Sequence, residues 1–204
     1  MPSSRIVTVP NMLTVFRMVL IPVFVTLLFY HRFLWALAVF VIAGFTDGLD
    51  GLLARRFSQQ SQLGTILDPI ADKLMLVTAF IVLSMRSVFP QPLPSHLPVP
   101  FWVTIAVISR DVFIMVGALA INMMTGFRGF RPSWLGKLNT IVQIGGIAVI
   151  MFAPSIPRYT GYYLPTVYAA VFAMAILSGL HYIFFVSQLM NEPRKPGSTP
   201  EVSS

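Results

Sequence analysis

The sequence predicts an all-α membrane protein of six transmembrane helices, on three observations. Its 204 residues are 56% hydrophobic and only 10% charged, with a mean hydropathy of +0.78, whereas soluble domains carry about 25% charged residues. The apolar residues gather into six stretches, at about 11–30, 34–56, 64–86, 99–124, 134–154 and 162–189. Each is close to the ~20 residues that cross a bilayer as a helix. The bases, finally, alternate in number from loop to loop. Arg32, Arg86 and Arg158 follow the odd-numbered stretches, while Arg5, Arg55, Arg56, Arg128, Arg131, Lys137, Arg194 and Lys195 fall on the other side. The positive-inside bias then puts both termini in the cytoplasm.

The elements follow in order. Residues 1–9 are short and mildly amphipathic and suit an interface. His31-Arg32 ends the first stretch and Ser58–Gln62 the second. The proline-rich Pro90–Pro100 ends the third, Gly126–Pro132 the fourth and Pro154–Tyr163 the fifth. Trp35, Trp102 and Trp134, with Tyr159, Tyr162 and Tyr163, fall near span ends, where aromatic side chains anchor at the interface. Residues 1–190 read as a single catalytic transmembrane domain and 191–204 as a disordered cytoplasmic tail. The N-terminus lacks a small-residue cleavage site and does not read as a signal peptide. The chain carries a net charge of +7, but no basic run of soluble sequence is there to bind nucleic acid. Without cysteine there are neither disulfides nor thiolate metal sites. His31 and His96 read as solvated loop residues, and His181 as a packing residue of the last span.

Five of the seven acids, Asp47, Asp50, Asp68, Asp72 and Asp111, lie in or at the ends of apolar stretches. Carboxylates there are costly unless paired or metal-bound, so each marks a candidate site. Asp47 and Asp50 are three residues apart near the end of the second span. Asp68 and Asp72 are four apart at the start of the third, so each pair shares one helical face. The short linker between these spans makes them antiparallel and brings both pairs to one cytoplasmic end. Four converging carboxylates would repel and protonate unless cations neutralise them. Oxygen-only ligation suits Mg²⁺ or Mn²⁺, and four acids can bridge two ions, the arrangement that handles phosphoryl groups. A buried acid–base cluster using Arg55, Arg56 and Lys73 is the alternative. It leaves unexplained the small residues Gly48, Gly51, Ala54 and Gly64 around the acids, which make room for a ligand or for close helix packing.

Read through, Asp47-Gly48-Leu49-Asp50-Gly51-Leu52-Leu53-Ala54-Arg55 is followed by eight residues, Gly64, three residues, Asp68, three residues and Asp72. This resembles the signature DxxDGxxARx₈GxxxDxxxD of the CDP-alcohol phosphatidyltransferase family at every fixed position. Pro10–Arg17 is similar to that family's opening PNxLTxxR, and Asp68–Lys73 to its DPxADK form. The resemblance implies six transmembrane helices around a cytoplasm-facing polar cavity, in a homodimer. It implies metal ligation by Asp47, Asp50, Asp68 and Asp72, with Asp72 also the general base. Gly51, Ala54 and Gly64 would line the cytidine nucleotide, and Arg55 would face its phosphates. The implied reaction attacks the β-phosphorus of CDP-diacylglycerol with a hydroxyl and expels CMP. The implied setting is a bacterial inner (plasma) membrane.

Arg17, Arg110, Lys137, Arg128 and Arg131 cluster toward the cytoplasmic half and suit an acceptor that carries phosphate. Topology alone, or an ion pair with Asp111, would also account for them. Glycerol-3-phosphate is the favoured acceptor and phosphatidylglycerol the alternative. Ala118 stands where phosphatidylglycerophosphate synthases often carry a further arginine, and Lys137-Leu138-Asn139-Thr140 looks closer to cardiolipin synthases. A cation-transporter subunit is the rival from another class. It would need polar residues across the full membrane thickness, and the outer halves of these spans have almost none.

Overall fold

The computed structural model describes residues 9–57, 62–125 and 134–191, with side chains over 15–46, 73–117, 134–184 and at 187. All regular structure there is helical. Six long helices follow one another: α1 (Val9–Phe29), α2 (Phe33–Phe57), α3 (Gln62–Leu83), α4 (Phe101–Thr125), α5 (Trp134–Phe152) and α6 (Thr160–Asn191). Their bounds lie within a few residues of the six apolar stretches. Short 3₁₀ turns at Arg86–Val88, Ala153–Ser155 and Pro157–Tyr159 fill the connections after α3 and α5. The tail beyond 191 lies outside the described residues.

Apolar side chains surround these helices instead of forming one stripe. The inward ones build a core from Phe24 and Leu28 of α1, Phe40 of α2, Phe80 of α3, Val103 and Val107 of α4 and Ile147 of α5, all at most 5% exposed. The outward ones are apolar too: Phe45, Ile105, Met115 and Phe184 are all more than half exposed. A helix that is hydrophobic on every side requires an apolar exterior. Among the described residues, Trp134–Ser155 and Pro157–Phe184 are long and apolar enough to cross a membrane.

α1 packs against α2 and α3, α4 against α6, and α5 against α6 with smaller contacts to α2 and α3. Pro22 inside α1 cannot donate a helical hydrogen bond, and the Thr26 hydroxyl donates to the Pro22 carbonyl at 2.8 Å. The α3–α4 contact has a small polar element, Ser84 Oγ and Thr104 Oγ1 at 2.7 Å, both buried.

The loop end of the bundle is tied down by hydrogen bonds. Val99 N–H donates to the Leu83 carbonyl at 3.0 Å, and Tyr168 on α6 donates its hydroxyl to the His96 carbonyl at 2.8 Å. His31, expected to be solvated, is exposed yet holds the Val88 carbonyl through Nδ1 at 2.8 Å and stacks on Phe33. It closes the α1–α2 turn against the loop after α3. The opposite end of the bundle, where α2 finishes and α3 and α5 begin, carries the polar residues considered next.

Close approach of α5 and α6 depends on Gly146, where an added Cβ would lie 2.9 Å from Val171 Cγ2. At the neighbouring Gly145 nothing lies within 4 Å. Gly146→Leu should therefore destabilise the protein by about 1–3 kcal/mol, lowering its melting temperature in detergent. Gly145→Ala should leave that temperature unchanged or slightly raised.

Candidate active site

Positions 47 and 50 lie on the last turns of α2, and positions 68 and 72 on the first turns of α3. At about 1.5 Å per residue, Asp47 stands ~15 Å from the end of α2 and Asp72 ~15 Å from the start of α3. By the same measure Asp50 and Asp68 are ~10 and ~9 Å along. Helices that run antiparallel and touch therefore set Asp47 level with Asp72 and Asp50 level with Asp68. The helical backbone carries positions 47, 50, 68 and 72 at one end of one helix pair. The side chains from 47 to 72, including those of Gly51, Ala54, Arg55 and Gly64, lie outside the described residues.

Immediately after Asp72 the network becomes explicit. Lys73 Nζ on α3 donates to Asp111 Oδ2 on α4 at 3.0 Å. Arg110 Nη1 donates to the other Asp111 oxygen at 2.6 Å, and Arg110 Nη2 to Ser178 Oγ on α6. One carboxylate thus joins two cations, and the chain of contacts ties α3, α4 and α6 together beside the aspartate end. Asp111 is 8% exposed and Ser178 is fully buried. Lys73 is thereby engaged by Asp111, which limits its use as the counter-charge of an acid cluster on α2 and α3.

The other cations sort differently. Arg17 is 2% exposed on α1, the helix that packs against both α2 and α3. A guanidinium keeps its charge when buried, so this side of the aspartate helices is electropositive. Lys137, in the first turn of α5, is exposed. Arg128 and Arg131 lie outside the described residues. The structure thus brings Arg110 into one network with Lys73 and puts Arg17 on a helix touching both α2 and α3. It joins Lys137 to neither.

Ser178 and Gln143 were not singled out from the sequence, and Asn139 entered only within Lys137-Leu138-Asn139-Thr140. Ser178 receives Arg110, and Asn139 and Gln143, one turn apart on α5, are both fully buried. Among the described residues neither amide has a hydrogen-bond partner for its oxygen or its nitrogen, although an unsatisfied buried polar group costs about 1–3 kcal/mol. A polar pair at i, i+4 on an otherwise apolar helix was the available signal.

The Asp111 bridge predicts an order of stabilities. Asp111→Ala leaves two cations without their carboxylate and should cost about 3–5 kcal/mol, read as a lower melting temperature in detergent. Lys73→Met should cost about 1 kcal/mol or less, because Lys73 is a third exposed and Arg110 still satisfies Asp111.

Among the described residues no group of three His, Cys, Asp or Glu side chains could hold a metal. The side chains of the four aspartates lie outside the described residues; their chemistry is that of the hard oxygen donors Mg²⁺ or Mn²⁺ takes. Comparison with known proteins points the same way. A protein of Mycobacterium tuberculosis (strain H37Rv) that carries the name phosphatidylglycerophosphate synthase is 35% identical over 187 residues, covering 88% of this chain and 82% of its own. A Mycobacterium bovis protein that carries the name cardiolipin synthase is 33% identical over 159 residues, covering 78% and 71%. The CDP-diacylglycerol–glycerol-3-phosphate 3-phosphatidyltransferase of Yersinia enterocolitica is 35% identical over 153 residues, covering 72% and 78%. That family is membrane-associated and generally depends on divalent metal. With its sequence pattern matched across residues 7–186, the chain belongs to the CDP-alcohol phosphatidyltransferase family.

Proposed function

We propose that the chain transfers the phosphatidyl group of CDP-diacylglycerol to a glycerol-type acceptor, glycerol-3-phosphate by preference, with release of CMP. The observation that carries this reading is the placement of the complete Asp47–Asp72 signature on two touching antiparallel helices. The names of the M. tuberculosis and Y. enterocolitica relatives support the acceptor. The M. bovis relative, together with Asn139-Thr140 after Lys137, supports phosphatidylglycerol as the second reading.

Asp47, Asp50, Asp68 and Asp72 would hold two divalent cations, which supply charge neutralisation for the diphosphate when bound. Gly51, Ala54 and Gly64 leave the helix surfaces low enough for the cytidine nucleotide, and Arg55 meets its phosphates. Asp72 accepts the proton of the acceptor hydroxyl as that oxygen bonds to the β-phosphorus. The bond from this phosphorus to the bridging oxygen breaks, and CMP leaves with it. Arg17, Arg110, Lys137, Arg128 and Arg131 form the cationic surroundings that favour a phosphate-bearing acceptor.

The apolar exterior suits six spans in a bilayer, with the aspartate end opening as a polar cavity on the cytoplasmic side. There CMP can leave to water while donor and product keep their acyl chains in lipid. The excess of bases on that side supports cytoplasmic termini. The family resemblance supports a homodimer in a bacterial inner membrane.

Purified protein given CDP-diacylglycerol, Mg²⁺ and glycerol-3-phosphate should release CMP, and chelation should stop it. Asp72→Asn should lose about 100-fold or more in turnover, the usual contribution of a general base, while CDP-lipid binding persists. No CMP from any glycerol-type acceptor would overturn the activity, and a fully active Asp72→Asn would overturn the base.

A further inference from the structure

The unpartnered amides of Asn139 and Gln143 have no part in the chemistry above. Both side chains are fully buried, and among the described residues all four of their polar atoms lack hydrogen bonds. A buried amide without a partner is costly, so the pair suits a polar occupant. They stand one turn apart on α5, the helix that packs against α6 and also touches α2 and α3. Gln143 is about 14 Å from the start of α5, and Asp72 about 15 Å from the start of α3. These helices begin at the same end of the bundle, so Gln143 shares the depth of the proton-accepting carboxylate, and Asn139, about 8 Å from the start of α5, lies one turn nearer that end.

The chemistry of the pair selects its ligand. An amide presents one acceptor and two donors, the complement of a hydroxyl, which both donates and accepts. A phosphate accepts only, and would leave Asn139 Oδ1 and Gln143 Oε1 facing negative charge. The cations at this end already suit the phosphate, and the neutral amides fit what remains of a glycerol unit. We propose that Asn139 and Gln143 form the hydroxyl-recognition point of the acceptor site and bind the secondary hydroxyl of its glycerol unit, the one that does not attack phosphorus. Glycerol-3-phosphate and the headgroup of phosphatidylglycerol both carry that hydroxyl. No hydrogen bond opposes rotation of either side chain toward an arriving acceptor. The inference rests on the transferase reading given above.

The test compares wild type with Asn139→Leu and Gln143→Leu in CMP release, using glycerol-3-phosphate and phosphatidylglycerol in separate arms. A third arm uses 3-hydroxypropyl phosphate, which keeps the attacking hydroxyl and lacks the secondary one. Wild type should prefer glycerol-3-phosphate over 3-hydroxypropyl phosphate by roughly 10- to 100-fold in kcat/KM, because a site built for a hydroxyl rejects its absence. Each variant should lose most of that preference, keep its KM for CDP-diacylglycerol, and melt no lower than wild type. The arm that wild type turns over faster identifies the source of the glycerol unit, and the variants should raise KM in that arm. An unchanged preference in folded variants would overturn the proposal, as would a raised KM for CDP-diacylglycerol with the acceptor KM unchanged. If a variant does not fold, Gln143→Met or Asn139→Ser is read by the same criterion. Absence of CMP from wild type in every arm would instead overturn the transferase reading itself.

Discussion

Four aspartates at the joined end of two touching helices would repel one another unless their charge were neutralised. That repulsion is the constraint on which the rest of the molecule turns. Either most of the carboxylates protonate, or cations sit among them. Protein cations near this end are partly committed elsewhere: Lys73 and Arg110 converge on Asp111, and Lys137 is exposed. Hard divalent ions would answer the repulsion and would bring affinity for a diphosphate at the same time.

Around that site the bundle divides its labour between its ends. At the loop end, hydrogen bonds through His31, His96 and Tyr168 tie turns to helices. At the aspartate end, the Lys73–Asp111–Arg110–Ser178 chain joins α3, α4 and α6, fixing α3 one residue beyond Asp72. The α5–α6 contact is close at Gly146 and carries the unsatisfied amides deeper toward the site.

Much of this was legible in the sequence because the membrane limits the choices. An apolar run of about 20 residues has few other fates, so six helices and their ends could be read within a few residues. The spacing of Asp47, Asp50, Asp68 and Asp72 was equally plain, since helical periodicity converts three and four residues into a shared face. What could not be read was the pairing of isolated polar residues across helices. Asp111 has one basic neighbour in sequence, Arg110, and nothing around it points to Lys73, 38 residues away. Ser178 looked like any small residue of a membrane helix until Arg110 was found against it. Gln143 drew no notice because an amide carries no charge to betray its cost.

The central claim is that one helix pair holds two divalent ions between its four aspartates, and electron paramagnetic resonance of bound Mn²⁺ addresses it directly. The chain has no cysteine, so no thiolate site competes for the metal. With CDP-diacylglycerol present, wild type should give the spectrum of a spin-coupled manganese pair. Asp47→Asn or Asp68→Asn should reduce it to an uncoupled ion or remove it. A single uncoupled ion in wild type, with a spectrum indifferent to both substitutions, would contradict the account.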